Sequence, residues 1–252
     1  DDQHGTAIVV LAALLNALKV ARKELTKVRI IVNGAGSAGV GITRLLVAAG
    51  VTNIVVVDTE GAIYQGRAGL TRFKEELAEM TNNERKKGGL EELVKGADVF
   101  IGASSAGVLS KEHVISMAST PIVFALANPI PEIAPEDAKE AGAAVIGTGS
   151  SEHENQINNL LAFPGVFRGV LDCRASVINV EMRLAAARAI ASLVKKPTAG
   201  AVIPQPLDRR VAPAVARAVV EAAMRTGAAT KLIKNLPLYQ KIAAARIKGL
   251  IK

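Results

Sequence analysis

Val28-Arg29-Ile30-Ile31-Val32-Asn33-Gly34-Ala35-Gly36-Ser37-Ala38-Gly39 is the stretch from which the fold is read. Its first half is a short apolar, β-branched run, the pattern of a strand buried on both faces of a parallel sheet. Its second half is a G-x-G-x-x-G turn, and Val40 to Ala49 continues it as a small-residue helix stopped by Gly50. Asn53-Ile54-Val55-Val56-Val57-Asp58 reads as the next strand, ending on a carboxylate 19 residues past Gly39. A glycine turn alone is a weak signal. Set between a strand and a helix, with an acidic residue closing the following strand, it predicts a dinucleotide-binding unit. Gly34 permits the tight turn, Gly36 lets the backbone approach a pyrophosphate, and Gly39 lets helix and strand pack closely. Ala35, Ser37 and Ala38 complete the loop at a helix N-terminus, whose amides and dipole suit an anion. Asp58 would accept hydrogen bonds from the adenosine ribose and repel a 2′-phosphate. Thr59, Glu60 and Gly61 bring no Lys or Arg to its side, so NAD is expected ahead of NADP, with NADP possible.

Working outward, residues 59–72 hold three glycines and read as a loop, and residues 73–81 and 89–95 as helices. Further strands are expected at 98–102, 121–126 and 143–147, with helices at 111–118 and 135–141 between them. Upstream, His4 to Ala21 reads as a helix apolar on nearly all sides. After Asn155 the strands stop and helices follow, including Val180 to Val194 and Ala212 to Met224, with Pro197 to Pro206 as a Pro/Gly-rich connector. This order predicts an α/β fold: a Rossmann-like doubly wound parallel sheet flanked by helices, with a C-terminal helical extension. Residues 1–196 are assigned to the cofactor-binding domain and 197–252 to that extension. Open α/β sheets bind ligands beyond the carboxyl ends of their strands, which adds Ser104 and Asn128 to the candidate cofactor site.

Composition narrows the classes further. The 252 residues are 50% hydrophobic and 21% charged, enough to build a core, but only 3% aromatic with no Trp, so that core is aliphatic. A single cysteine, Cys173, excludes an internal disulfide framework and a thiolate cluster, and a buried thiol is expected. The apolar run from Ala7 to Leu18 falls short of the ~20 residues that span a bilayer, so a buried helix is expected rather than a membrane segment. No basic stretch precedes it, which argues against a signal peptide and for a cytoplasmic protein. The chain opens on Asp, not Met, and is expected to be a piece of a longer protein. Residues 1–180 carry 17 Lys and Arg against 20 Asp and Glu, whereas residues 181–252 carry 14 against 3. With no aromatic interleaving and no groove-reading motif, this basic tail is expected to be a solvated face or an acidic partner's contact, not a nucleic-acid site.

Asp1-Asp2-Gln3-His4-Gly5-Thr6-Ala7 resembles the start of the nicotinamide-binding half of the malic enzymes. The resemblance continues, in order, through Asn33-Gly34-Ala35-Gly36, Ala127-Asn128-Pro129, Asn158-Asn159-Leu160-Leu161-Ala162-Phe163-Pro164-Gly165, Ile203-Pro204 and Arg209-Arg210-Val211-Ala212-Pro213. It covers essentially the whole chain and is closest to the compact prokaryotic form. It implies oxidation of L-malate with NAD(P), loss of CO2 to give pyruvate, and a requirement for Mg2+ or Mn2+. It further implies that Asp2 ligates the metal, that Asp1 neighbours metal and substrate with a catalytic role, and that Asn128 and Asn159 contact the nicotinamide ribose and the substrate carboxylate. Asn158 is supporting structure by the same comparison. The family's general-base lysine, acid tyrosine and two further acidic ligands lie in an N-terminal domain outside this sequence, which becomes an expected partner, together with a second copy in a homodimer. Tyr64 and Tyr239 stand in no matching motif, and His4, His113 and His153 show no ligand spacing. Two readings of other classes stay open: the cofactor domain of another two-domain dehydrogenase, and a non-catalytic nucleotide-sensing module.

Overall fold

The computed structural model describes residues 1–250, with side chains through Arg246; Ile251 and Lys252, the end of the expected extension, lie outside the described residues. Six strands form one sheet: β1 (Arg29–Asn33), β2 (Asn53–Asp58), β3 (Gly61–Ala62), β4 (Val99–Gly102), β5 (Ile122–Ala125) and β6 (Val145–Thr148). Their order is β3-β2-β1-β4-β5-β6. All neighbours are parallel except β3, which pairs antiparallel with β2 through Val57 and Ala62. The expected loop over 59–72 therefore contains a two-residue edge strand. A run that short, bracketed by glycine, carries no alternation by which to recognise it.

The parallel register explains the continuous apolar runs. Ile30, Val32, Ile54, Val56, Val99, Ile101, Ile122 and Phe124 turn to one face, while Ile31, Val55, Val57, Phe100 and Val123 turn to the other. Both faces are covered, so every second residue finds an apolar layer whichever way it points. Over the second face lie α4 (Leu90–Leu93), α5 (Lys111–Ser116) and α6 (Pro135–Glu140), contributing Leu93, Val114 and Ala138. The first face is covered by α1 (His4–Ala21), α2 (Ser37–Ala48), α3 (Arg72–Met80), α8 (Val180–Ser192) and α9 (Val211–Arg225). A 3₁₀ turn (Asn159–Leu161) leads into α7 (Phe163–Asp172), and α10 (Leu236–Leu250) lies outermost against α9.

The first helix is apolar all round because it is buried all round. It packs against α2 and α8, and 72% of its length is buried. Asn16, the polar break in its apolar run, is fully buried, and its amide donates to the carbonyls of Ala191 and Val202 at 2.9 and 3.0 Å. A buried amide is tolerable only when satisfied in this way. Cys173 is also buried, and burial pushes its thiol up, the opposite of an activated nucleophile.

Candidate functional site

The strand order reverses at β1, which has β2 on one side and β4 on the other. The two crossovers leave on opposite faces there, so a crevice opens beyond the carboxyl ends of these strands. A groove of about 530 Å³ occupies it, lined by Gly34, Gly36, Asp58, Lys74, Ser104 and Val108 among others.

The glycines play separate roles. Gly34 has φ +118° and lies against the Ala103 carbonyl, a conformation and a contact that both demand a missing Cβ. A Cβ on Gly39 would strike the Gly34 carbonyl, so Gly39 closes the helix onto the loop. Gly36, the N-cap of α2, is different. A Cβ there would meet nothing within 4 Å, because the position looks into the open groove. That is the space a pyrophosphate would fill above the first amides of α2. On the opposite wall, the Asn33 amide donates to the Ser104 hydroxyl at 2.7 Å, joining the ends of β1 and β4.

Asp58 sits where expected, at the end of β2, but not in the expected surroundings. Arg67 grips it through both terminal nitrogens, at 2.9 and 2.5 Å, and Lys74 Nζ lies 2.6 Å from Oδ2. Burial on its own would raise the Asp58 pKa. The hydrogen bonds from Arg67, Lys74 and the Glu60 amide outweigh it and hold the carboxyl well below the usual carboxylate range. The expectation of NAD ahead of NADP rests on the absence of Lys and Arg at Thr59, Glu60 and Gly61, and that absence does not extend to the folded surroundings. The reason is that the glycine-rich loop and α3 fold back over β2. An aspartate already neutralised by two cations repels a 2′-phosphate far less than a free one, and Lys74 itself lines the groove.

Outside the groove's lining residues, the two most specific segments of sequence meet. Asn159 Nδ2 donates to Asp2 Oδ1 at 3.3 Å, across 157 residues. Asp1 and the Phe163 ring both close over Gly5, and Gln3 lies against Gly41, beside the first turns of α2. Asp1 and Asp2 are exposed carboxylates, a hard oxygen pair suited to Mg2+ or Mn2+. Among the described residues no cluster of three His, Cys, Asp or Glu completes such a site. Asn128 is exposed in the loop after β5, ahead of a cis Asn128–Pro129 peptide, and makes no hydrogen bond to Asp2 or Asn159. Asn158 caps the 3₁₀ turn by accepting from the Leu160 amide at 2.9 Å, a structural role.

The remaining titratable groups have local tasks. His4 Nδ1 is 2.9 Å from Arg183, and burial followed by the Arg183 charge lowers its pKa. His113 caps α5 with Ser110, and the Tyr239 hydroxyl donates to Asp172 at 2.8 Å. Arg67, Lys74 and Glu132 were not among the sequence candidates. Arg67 and Lys74 lie nine and sixteen residues past Asp58, too far along the chain for local sequence to place them beside it.

The family described as "Malic enzyme, NAD binding domain" matches residues 3–224. The chain is 58% identical over 252 residues to the bifunctional malic/malolactic enzyme of Bacillus subtilis, covering 99% of this chain and 62% of that protein. It is 51% identical over 240 residues to the NAD-dependent malic enzyme of Geobacillus stearothermophilus, covering 94% of this chain and 50% of that one. Other relatives bear the name NADP-dependent malic enzyme. The crystal structure of malic enzyme from Pyrococcus horikoshii superposes with a TM-score of 0.94 at 43% identity, over 98% of this chain and 59% of that one. The chain thus spans 50–62% of the length of the two named relatives and of the Pyrococcus enzyme, and about a third of the NADP-dependent relative.

Proposed function

Because the chain belongs to the malic enzyme family through its NAD-binding domain, we propose that it is the cofactor-binding part of an enzyme that oxidises and decarboxylates L-malate to pyruvate. The observation that carries this reading is the groove at the strand-order reversal, into which the Gly36 backbone is open.

In this reading malate loses a hydride from C2 and its hydroxyl proton; the resulting oxaloacetate releases CO2, and the enolate left behind is protonated to pyruvate. The bound dinucleotide supplies the hydride acceptor, and Mg2+ or Mn2+ supplies a Lewis acid for the reacting oxygen. The Gly34–Gly39 loop and the α2 N-terminus hold the pyrophosphate, while Asp58 and Lys74 face the adenosine ribose. Asn128 orients the nicotinamide ribose and, with Asn159, the substrate carboxylate. Asp2, with Asp1 beside it, supplies carboxylate oxygens to the metal. Amides do not titrate, and a carboxylate committed to a cation is a poor base. Removal of the hydroxyl proton therefore falls to the part of the protein that lies beyond this chain. Both NAD and NADP are accepted in this reading, since the Asp58 charge is already countered.

Residues 1–252 should bind NADH yet give no malate-dependent NAD reduction above background with Mn2+, because acid–base assistance worth about 10²–10⁴-fold is missing. The full-length protein should turn over malate, and Asp2→Asn should abolish that turnover. A full-length protein inert towards malate would overturn the proposal, and malate turnover independent of a divalent metal would overturn the metal roles given to Asp1 and Asp2.

A further inference from the structure

Glu132 is fully buried, and nothing in the site described above gives it a task. It lies between β5 and α6, in the otherwise apolar segment Ile130-Pro131-Glu132-Ile133. Its Oε1 accepts from the Ser104 amide at 3.0 Å and its Oε2 from the Ala127 amide at 3.0 Å. Gly102, the last residue of β4, leaves the room this carboxylate fills, since a Cβ there would collide with it. The Glu132 backbone carbonyl in turn accepts from the Leu109 amide at 3.0 Å. Taken with the Asn33–Ser104 bond, one continuous set of hydrogen bonds joins the carboxyl ends of β1, β4 and β5.

Burying a carboxylate is costly unless its oxygens are satisfied, and an apolar side chain would fill the same space at lower cost. What an apolar residue could not do is hold two backbone N–H groups belonging to two different loops. These are the loops that carry Ser104 and Asn128. We propose that Glu132 is a positioning residue that fixes the far wall of the crevice, setting the Asn128 loop against the Ser104 loop so that the nicotinamide half of the dinucleotide is gripped. This rests on the reading of the crevice as a dinucleotide site.

Glu132→Gln tests it. Whichever way the new amide is turned, its NH2 faces one of the two N–H groups, and one loop is released. NADH and AMP are titrated against the starting chain and the variant. AMP reports the half of the site held by the glycine loop and Asp58, which Glu132 does not touch. The expected result is a loss of about tenfold or more in NADH affinity with AMP affinity within about threefold of the starting value. If Glu132→Gln does not fold, Glu132→Asp serves in its place: it keeps the charge but, one methylene shorter, cannot reach both loops, and the same split is expected. Unchanged NADH affinity, or parallel losses for NADH and AMP, would overturn the proposal, the latter marking Glu132 as a packing residue only. Failure of the starting chain to bind NADH would instead overturn the reading of the crevice itself, and this proposal with it.

Discussion

Asp58 is the residue at which local sequence and folded environment part company. With side chains only 7%, 9% and 26% exposed for Asp58, Arg67 and Lys74, the three charges form a compact, largely dry cluster at the end of the groove proposed for the ribose. Of the two cations, Lys74 is the one that lines the groove, so Lys74→Ala should weaken NADPH binding about five- to tenfold more than NADH binding, the scale of one charge-assisted hydrogen bond. Parallel titrations of the two reduced cofactors check this, and equal losses would contradict it. The same cluster gives a pH signature. The carboxyl pKa is lower in the folded state than the unfolded value of about 3.9, so its contribution is complete above about pH 4 and drains away as the pH falls below that. Asp58→Asn should cost about 3 kcal/mol at pH 7, as expected for a broken buried pair, and the difference from the starting protein should shrink between about pH 4 and pH 2. Urea unfolding at stepped pH measures both.

Among the elements, the βαβ unit from β1 to β2 separates binding from folding within a single loop. Gly36→Ala places its methyl in open space and should leave thermal stability within about 1 kcal/mol while weakening NADH. Gly39→Ala drives a methyl into the Gly34 carbonyl and should cost about 2 kcal/mol or more, the scale of an overpacked site. Differential scanning fluorimetry with and without NADH distinguishes the two. That the strand, glycine turn, helix and closing aspartate could be read in advance follows from their being local: each signal lies within a few residues of its effect. The five parallel strands were equally legible, because burial on both faces leaves unbroken apolar runs such as Ile30–Val32 and Ile54–Val57. The edge strand β3 was not, nor was the clasp on Asp58, since Arg67 and Lys74 arrive by a fold of the loop that no periodicity encodes. Glu132 gave a faint signal, a lone carboxylate between Pro131 and Ile133, but its meaning depends on two amides from other elements.

At the scale of the whole molecule, α1 couples the site to the core. Its N-terminal end carries Asp1 and Asp2 beside Asn159, while its body is sealed between α2 and α8. Leu11→Ala, at a fully buried position, should cost about 2–5 kcal/mol in a cooperative unfolding transition. The C-terminal helices share that core, since Met182, Ile190, Val215 and Val219 pack into the same apolar cluster as Leu11 and Leu14. The central claim, that this scaffold presents a dinucleotide groove over the Gly36 backbone, is tested most directly by calorimetric titration of residues 1–252 and of Gly36→Val with NADH. The account predicts saturable binding at one site per chain for the starting protein and none for the variant, with the two unfolding at similar temperatures. Equal binding by both, or no binding by the starting protein, would contradict it.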